Sequence, residues 1–182
     1  MPPTSGSGVT PTSIATNTPA QPPVPTASPD SAQPVTIAVG TPSLVNGQVR
    51  VPIITSGYAA PYSGLNVHLR WDSAIFKLVP SAIKDSPLAT PFCLDPVPDT
   101  DGGGASYACG ATGGLTTTTG VLATIVLAPA AASGCSSLHL FTYGAPDGGD
   151  FSTGTFLVDA GSNVPEPAHY IDGSASVSGK TC

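Results

Sequence analysis

The chain has 182 residues, 21 of them glycine and 21 proline, and carries a formal net charge of -6 with only five Lys and Arg. A phosphate backbone or an anionic bilayer would find almost no cations to hold, which sets aside nucleic acid as a partner, and no apolar run reaches the roughly 18 residues of a membrane span. The length allows one domain of ordinary size plus a tail, and with 9% charged residues and few strong helix formers the composition favours strands joined by many turns.

Residues 1–33 contain no aromatic residue, no Lys or Arg, and one acid, Asp30; Pro, Thr, Ser and Ala dominate. Such a segment cannot bury enough apolar surface to offset its ordering entropy, so it reads as a disordered Pro/Thr/Ser-rich linker and an O-glycosylation substrate. "MPPTSGSGVT" lacks the charged and apolar regions of a signal peptide. The chain therefore reads as a module of a larger or processed protein.

A domain spanning 34–182 follows, and it reads as all-β. "VTIAVG" opens it; "NGQVRVPII" follows an Asn46-Gly47 turn signal with Val49, Val51 and Ile53 on one side. In "SGLNVHLRW" the side chains alternate strictly, Leu65, Val67, Leu69 and Trp71 on one face and Asn66, His68 and Arg70 on the other, the period of a half-buried strand. After Asp72-Ser73 come "AIFKLV", "GASYACG", "GVLATIVLA", "SSLHLFTY", "TGTFLVDA" and "HYIDGSASVS", separated by Gly, Pro, Asp or Ser clusters. Nine strands in this length suit a β-sandwich. "VLATIVLA" is apolar on both faces, which predicts cover on its outer side as well.

Four cysteines, Cys93, Cys109, Cys135 and Cys182, occur without a CxxC pair, so two disulfides in an extracellular or cell-surface protein are expected rather than a zinc site. Of the three connectivities, Cys93 with Cys109 and Cys135 with Cys182 is favoured. The first pair brackets "LDPVPDTDGGGASYA", whose Asp, Pro and Gly predict a chain reversal.

Catalytic constellations are weak. His68, His139 and His169 are scattered, no GxSxG elbow positions a serine, and Glu166 is the one Glu, so paired carboxylates for glycoside chemistry lack support. Asp99 and Asp101 in "DPVPDTDGGG" form a candidate calcium loop, but the EF-hand spacing is absent and no Glu closes it. A Gly-rich turn is the simpler expectation there. Sugar binding would need exposed, coplanar aromatics; Tyr58, Tyr62, Tyr143 and Tyr170 are the candidates, while Trp71 alternates with the core side.

Four phrases in order, "NGQVRVPIITSG", "LNVHLRWDSAIFKLV", "TTTTGVLATIVL" and "YIDGSASVSG", resemble the cohesin family, the receptor modules of cellulosome scaffolding proteins, over essentially residues 34–180. The resemblance implies a nine-stranded sandwich of jelly-roll topology without catalytic activity or a cofactor of its own. Its partner would be a calcium-carrying dockerin or dockerin-like module of another protein, with polysaccharide reached only indirectly. It also places Asn66, His68 and Arg70, with Gly110, Ala111 and Thr112 at the end of the strand from "ASYACG", on the sheet face that meets the dockerin. Family members carry acidic side chains near Asn66 and near that strand end; both are missing here, which alters the charge that selects a partner. Two other functions remain open: a structural adhesion or filament subunit of the cell surface, and a carbohydrate-binding β-sandwich.

Overall fold

The computed structural model describes residues 35–57, 62–79, 92–115, 120–142, 154–161 and 168–182; the predicted linker lies outside them. Among the described residues thirteen strands are present: β1 (Val35–Val39), β2 (Ser43–Val45), β3 (Gln48–Ser56), β4 (Tyr62–Arg70), β5 (Phe76–Leu78), β6 (Phe92–Cys93), β7 (Val97–Pro98), β8 (Gly104–Leu115), β9 (Gly120–Pro129), β10 (Cys135–Leu140), β11 (Phe156–Asp159), β12 (Ala168–Ile171) and β13 (Gly173–Ser176). All nine predicted strands are among them. The additions are the short β2, β6 and β7, and the last predicted strand divides into β12 and β13.

The strands form two sheets packed as a jelly-roll sandwich. One runs β12-β1-β3-β9-β5 with β2 against β3, the other β13-β10-β4-β8-β6 with β11 against β4 and β7 against β8. Between them lie Val49, Val51 and Ile53 of β3 and Ala123, Ile125 and Leu127 of β9, facing Leu65, Val67 and Leu69 of β4 and Leu138 and Leu140 of β10. Each fully buried aliphatic side chain contributes about 1.5–3 kcal/mol relative to exposure. The β9 sequence is apolar on both faces; Val126 on its outer side is buried, as the pattern predicts, while Leu122, at the register shift opposite Ile53 and Ile54, joins the core between the sheets.

Local chemistry explains the joints. Asn46 and Gly47 both have positive φ, 52° and 75°, which a two-residue type I′ hairpin requires, and they join β2 to β3 with Val45 opposite Gln48. At Asp172 the chain leaves one sheet for the other: β12 pairs parallel with β1, whereas β13 pairs antiparallel with β10. Gly173 permits the crossing, since a Cβ there would stand 2.8 Å from Val39 Cβ. The crossing is held by Asp172, whose carboxylate accepts from Leu140 N (2.8 Å) and from His139 Nδ1 (2.6 Å).

A second joint shapes the outer face of β4. Strands β10 and β11 lie end to end along one edge of β4, with Leu140 opposite Leu69 and Phe156 opposite Asn66. At the break, the Thr155 hydroxyl takes the place of a strand backbone: it accepts from His68 N (3.0 Å) and donates to His68 O (3.1 Å). Tyr170 of β12 reaches the same point, its hydroxyl donating to Thr155 O at 2.6 Å. Burial pushes the Tyr170 phenol up to about 12. The unfolded chain therefore ionises first, near pH 10, so this contribution is fully present below about pH 10 and is lost as pH rises toward 12. Tyr170→Phe is expected to flatten that alkaline loss of stability while costing about 1 kcal/mol at neutral pH for the missing hydrogen bond, as read from urea unfolding at the two pH values.

Candidate partner-binding face

In the sheet containing β4, residues opposite one another across an antiparallel ladder share a face. Leu65, Val67 and Leu69 point into the core, so Gly64, Asn66, His68 and Arg70 belong to the outer face, beside Gly110, Ala108, Ser106 and Gly104 of β8. Next to β8 at the sheet edge, Phe92 stands opposite Gly110 and Val97 opposite Ser106. The row from β8 has short side chains or none. It forms a shallow floor between β4 and the edge.

The sequence places Asn66, His68 and Arg70 on an exposed polar row, and the structure corrects the exposure of two of them. Asn66 and His68 are 5% and 4% exposed. Asn66 is covered because its Nδ2 donates to Gly154 O at 2.6 Å, on the segment that returns the chain to β11. His68 is covered on one side by the Phe141 ring, with centroids 5.2 Å apart, and on the other by Asp99, whose Oδ2 lies 3.1 Å from His68 Nε2. A carboxylate only accepts, so His68 Nε2 carries the proton in that contact. Alternation identified the face correctly but carries no information about what the neighbouring loops lay across it. Arg70 remains half exposed, Gly110 partly so, and Ala111 and Thr112 continue β8 with side chains outside the described residues.

Arg70 and His68 are tied to the loop after β7 rather than standing free. Asp99 Oδ2 is also 3.3 Å from Arg70 Nη1, and Asp101 pairs with Arg70 Nη2. This chain of groups exists because Gly104 has no side chain: a Cβ there would fall on the Asp99 carboxylate. Asp101 accepts from Gly103 N at 2.9 Å; that bond first, and then the guanidinium, hold its carboxyl below the usual carboxylate range. The two aspartates of the candidate calcium loop thus turn toward cationic or N–H-bearing groups of the same chain. Among the described residues no cluster of three or more His, Cys, Asp or Glu is placed to hold a metal ion.

Beside Arg70 an open cavity of about 480 Å³ is lined by Arg70, Trp71, Asp72, Ser137, His139 and Phe141. Trp71, although among the lining residues, is 6% exposed and part of the core. Tyr62 is likewise buried and Tyr170 is engaged with Thr155, while Tyr58 and Tyr143 lie outside the described residues. No aromatic platform for a sugar ring is formed among the described residues. Both disulfides are present, Cys93–Cys109 and Cys135–Cys182. The first joins residues directly opposite each other on β6 and β8, and so fastens the edge of the face.

Sequence reasoning missed two features here. Asp99 and Asp101 act as partners of His68 and Arg70, for which the Gly102-Gly103-Gly104 run was the available signal. Phe92, Leu94 and Val97 form an exposed apolar edge, which alternation does not show because Asp95 and Pro96 interrupt the strand.

No protein-family model and no curated protein matches this sequence. Solved structures do. The second type II cohesin of the ScaA scaffoldin of Acetivibrio cellulolyticus superposes with a TM-score of 0.58 at 15% identity, over 76% of this chain and 86% of that one. A non-cellulosomal cohesin from the archaeon Archaeoglobus fulgidus gives 0.56 at 14% identity, over 78% and 89%. The fold is that of a cohesin module. A type I cohesin–dockerin complex from Clostridium thermocellum matches this cohesin-like sandwich at 0.57 with 14% identity, over 80% and 94%. The four sequence phrases and the three-dimensional likeness agree on the same architecture.

Proposed function

We propose that this cohesin-like domain is a non-catalytic extracellular recognition module that takes a dockerin-like partner on the outer face of β10, β4, β8 and β6. The observation that carries the proposal is the likeness of nearly the whole sandwich to cohesins, including one solved with its dockerin. A β-sheet face built of short side chains supports it, since a flat rigid surface loses little conformational entropy when a partner settles on it. Arg70 and the β8 segment Gly110, Ala111 and Thr112 are its proposed contact residues; Asn66 and His68 shape the face from beneath. Two disulfides suit an oxidising compartment. Residues 1–33 would act as the linker that sets the module apart from its neighbours.

The test is calorimetric titration against a panel of calcium-loaded dockerin modules. A one-to-one complex with at least one of them is expected, weakened at least about thirtyfold (about 2 kcal/mol) by Ser106→Arg, which puts a long charged side chain on the floor of the face. Thr124→Arg, on the other sheet, should leave it unchanged. A monomeric protein that captures none of the panel would overturn the proposal.

A further inference from the structure

The sheet on the far side of the sandwich from the proposed partner face carries an apolar row that the core does not use. Ladder register places Ile171 of β12 opposite Ala38 of β1, Ala38 opposite Ile54 of β3, and Ile54 opposite Val121 of β9. Their chain neighbours Ile37 and Ile53 point into the core, so this row stands on the outer face. Ile171, Ile54 and Val121 are 46%, 37% and 38% exposed. The row crosses adjoining strands and runs about 14 Å at the usual strand spacing. Clustered exposed apolar groups mark interaction sites in soluble proteins.

Charge narrows the occupant. No strand of this sheet contains Asp or Glu, although the chain has a net charge of -6. Its outer face bears Arg50 and Lys77, both exposed, and neither joins an ion pair among the described residues. The surface that answers this face is apolar and carries an unpaired acid.

One such surface belongs to the same chain. Phe92, Leu94 and Val97, each more than half exposed, follow the edge of the other sheet. Phe92 is opposite Gly110, Leu94 N donates to Ala108 O, and Val97 is opposite Ser106. From Gly110 to Ser106 is about 13 Å at the usual rise of a strand, close to the length of the row from Ile171 to Val121. Asp95, between Leu94 and Val97, is exposed and joins no ion pair among the described residues. The Cys93–Cys109 disulfide fixes this edge in place before any partner arrives.

We infer that the chain associates with itself head to tail, the Phe92, Leu94 and Val97 edge of one copy seated on the Ile171, Ile54 and Val121 row of the next. The two surfaces belong to different sheets of the sandwich, so the contact is heterologous: every added copy leaves one of each surface free, and association continues past the dimer. Two copies meeting through the Ile54 row alone would bury that row but leave Arg50 and Lys77 without an acid. The inference goes beyond the recognition of a dockerin and does not depend on it.

Sedimentation equilibrium of the full chain, from about 10 µM to about 1 mM, should give an average mass that rises past that of a dimer. Ile54→Glu alone, and Phe92→Ser with Val97→Ser, should each weaken association at least about tenfold. The deciding arm mixes these two variants at a concentration where each alone is monomeric. A one-to-one dimer that grows no further is expected, because each variant retains the surface that the other has lost. Val121→Glu, on the neighbouring strand, should reproduce Ile54→Glu, and near-ultraviolet circular dichroism confirms that every variant is folded. A monomer throughout, a dimer that never grows, association unchanged in either variant, or a mixture that stays monomeric would overturn the inference. Ile54→Glu leaves the β10, β4, β8 and β6 face as it is, so a dockerin that binds the chain should bind this variant equally. If copies associate and no dockerin binds, head-to-tail association stands and the dockerin reading fails; if a dockerin binds a chain that stays monomeric, the reverse holds.

Discussion

Trp71→Ala is expected to cost about 3–5 kcal/mol of folding stability, seen as a lower urea midpoint with an unchanged slope. The side chain is 6% exposed and packs in the cluster that joins the two sheets, at the point where β4 ends and the turn to β5 begins. Backbone contacts fix it there: Trp71 N donates to Gly103 O at 2.7 Å, and Asp72 N to Ser136 Oγ at 2.8 Å. Truncation leaves a cavity that these anchored neighbours cannot close, so both the lost burial and the void count against the fold. For a domain of this size that is a large part of the roughly 5–15 kcal/mol of total stability. A tryptophan serving as a sugar platform would behave in the opposite way, with little change in stability. A loss below about 1 kcal/mol would therefore remove Trp71 from the core and reopen the carbohydrate-binding function.

Joint replacement of Cys135 and Cys182 by serine is expected to cost about 4 kcal/mol, the chain-entropy value for a cross-link closing 47 residues. The cross-link of Cys93 and Cys109 closes only 16, for which the same estimate is about 3 kcal/mol. The longer loop contains most of the crossing from one sheet to the other. Strand β13 has four residues, all small or polar, and its ladder to β10 begins with Cys135 opposite Ser176. Beyond it the chain is held by polar contacts of modest strength: Ser176 N to Lys180 O at 2.8 Å and Cys182 N to Ser174 Oγ at 3.0 Å. Without the covalent tie this end of the sandwich has little apolar burial to keep it closed, and its amides should exchange first. Denaturant unfolding and hydrogen exchange of the double variant provide the check. An unchanged midpoint would show that β13 is secured by packing alone.

Period-2 alternation is a local property, and what depended on it was readable without coordinates. Val49, Val51 and Ile53 on one side of β3, Leu65, Val67, Leu69 and Trp71 on one side of β4, and the doubly apolar β9 all sit where the pattern predicts. The Asn46-Gly47 hairpin was equally readable, because so few residues tolerate positive φ. So was the choice of disulfide partners, through the turn chemistry between Cys93 and Cys109.

The sequence by itself determined an all-β sandwich, the apolar side chains of its core strands, and which side of β4 faces outward. Only the tertiary structure decided what becomes of that outward side. Gly154 and Thr155 close over Asn66 and His68, Asp99 reaches across Gly104 to His68 and Arg70, and the apolar surface gathers at Phe92, Leu94 and Val97. These contacts join residues 29 to 88 positions apart in the chain, between β4 and loops whose local pattern carries no period. Their placement follows from how the two sheets bring distant loops together, a balance of burial and hydrogen bonding that exists only once the sandwich has formed.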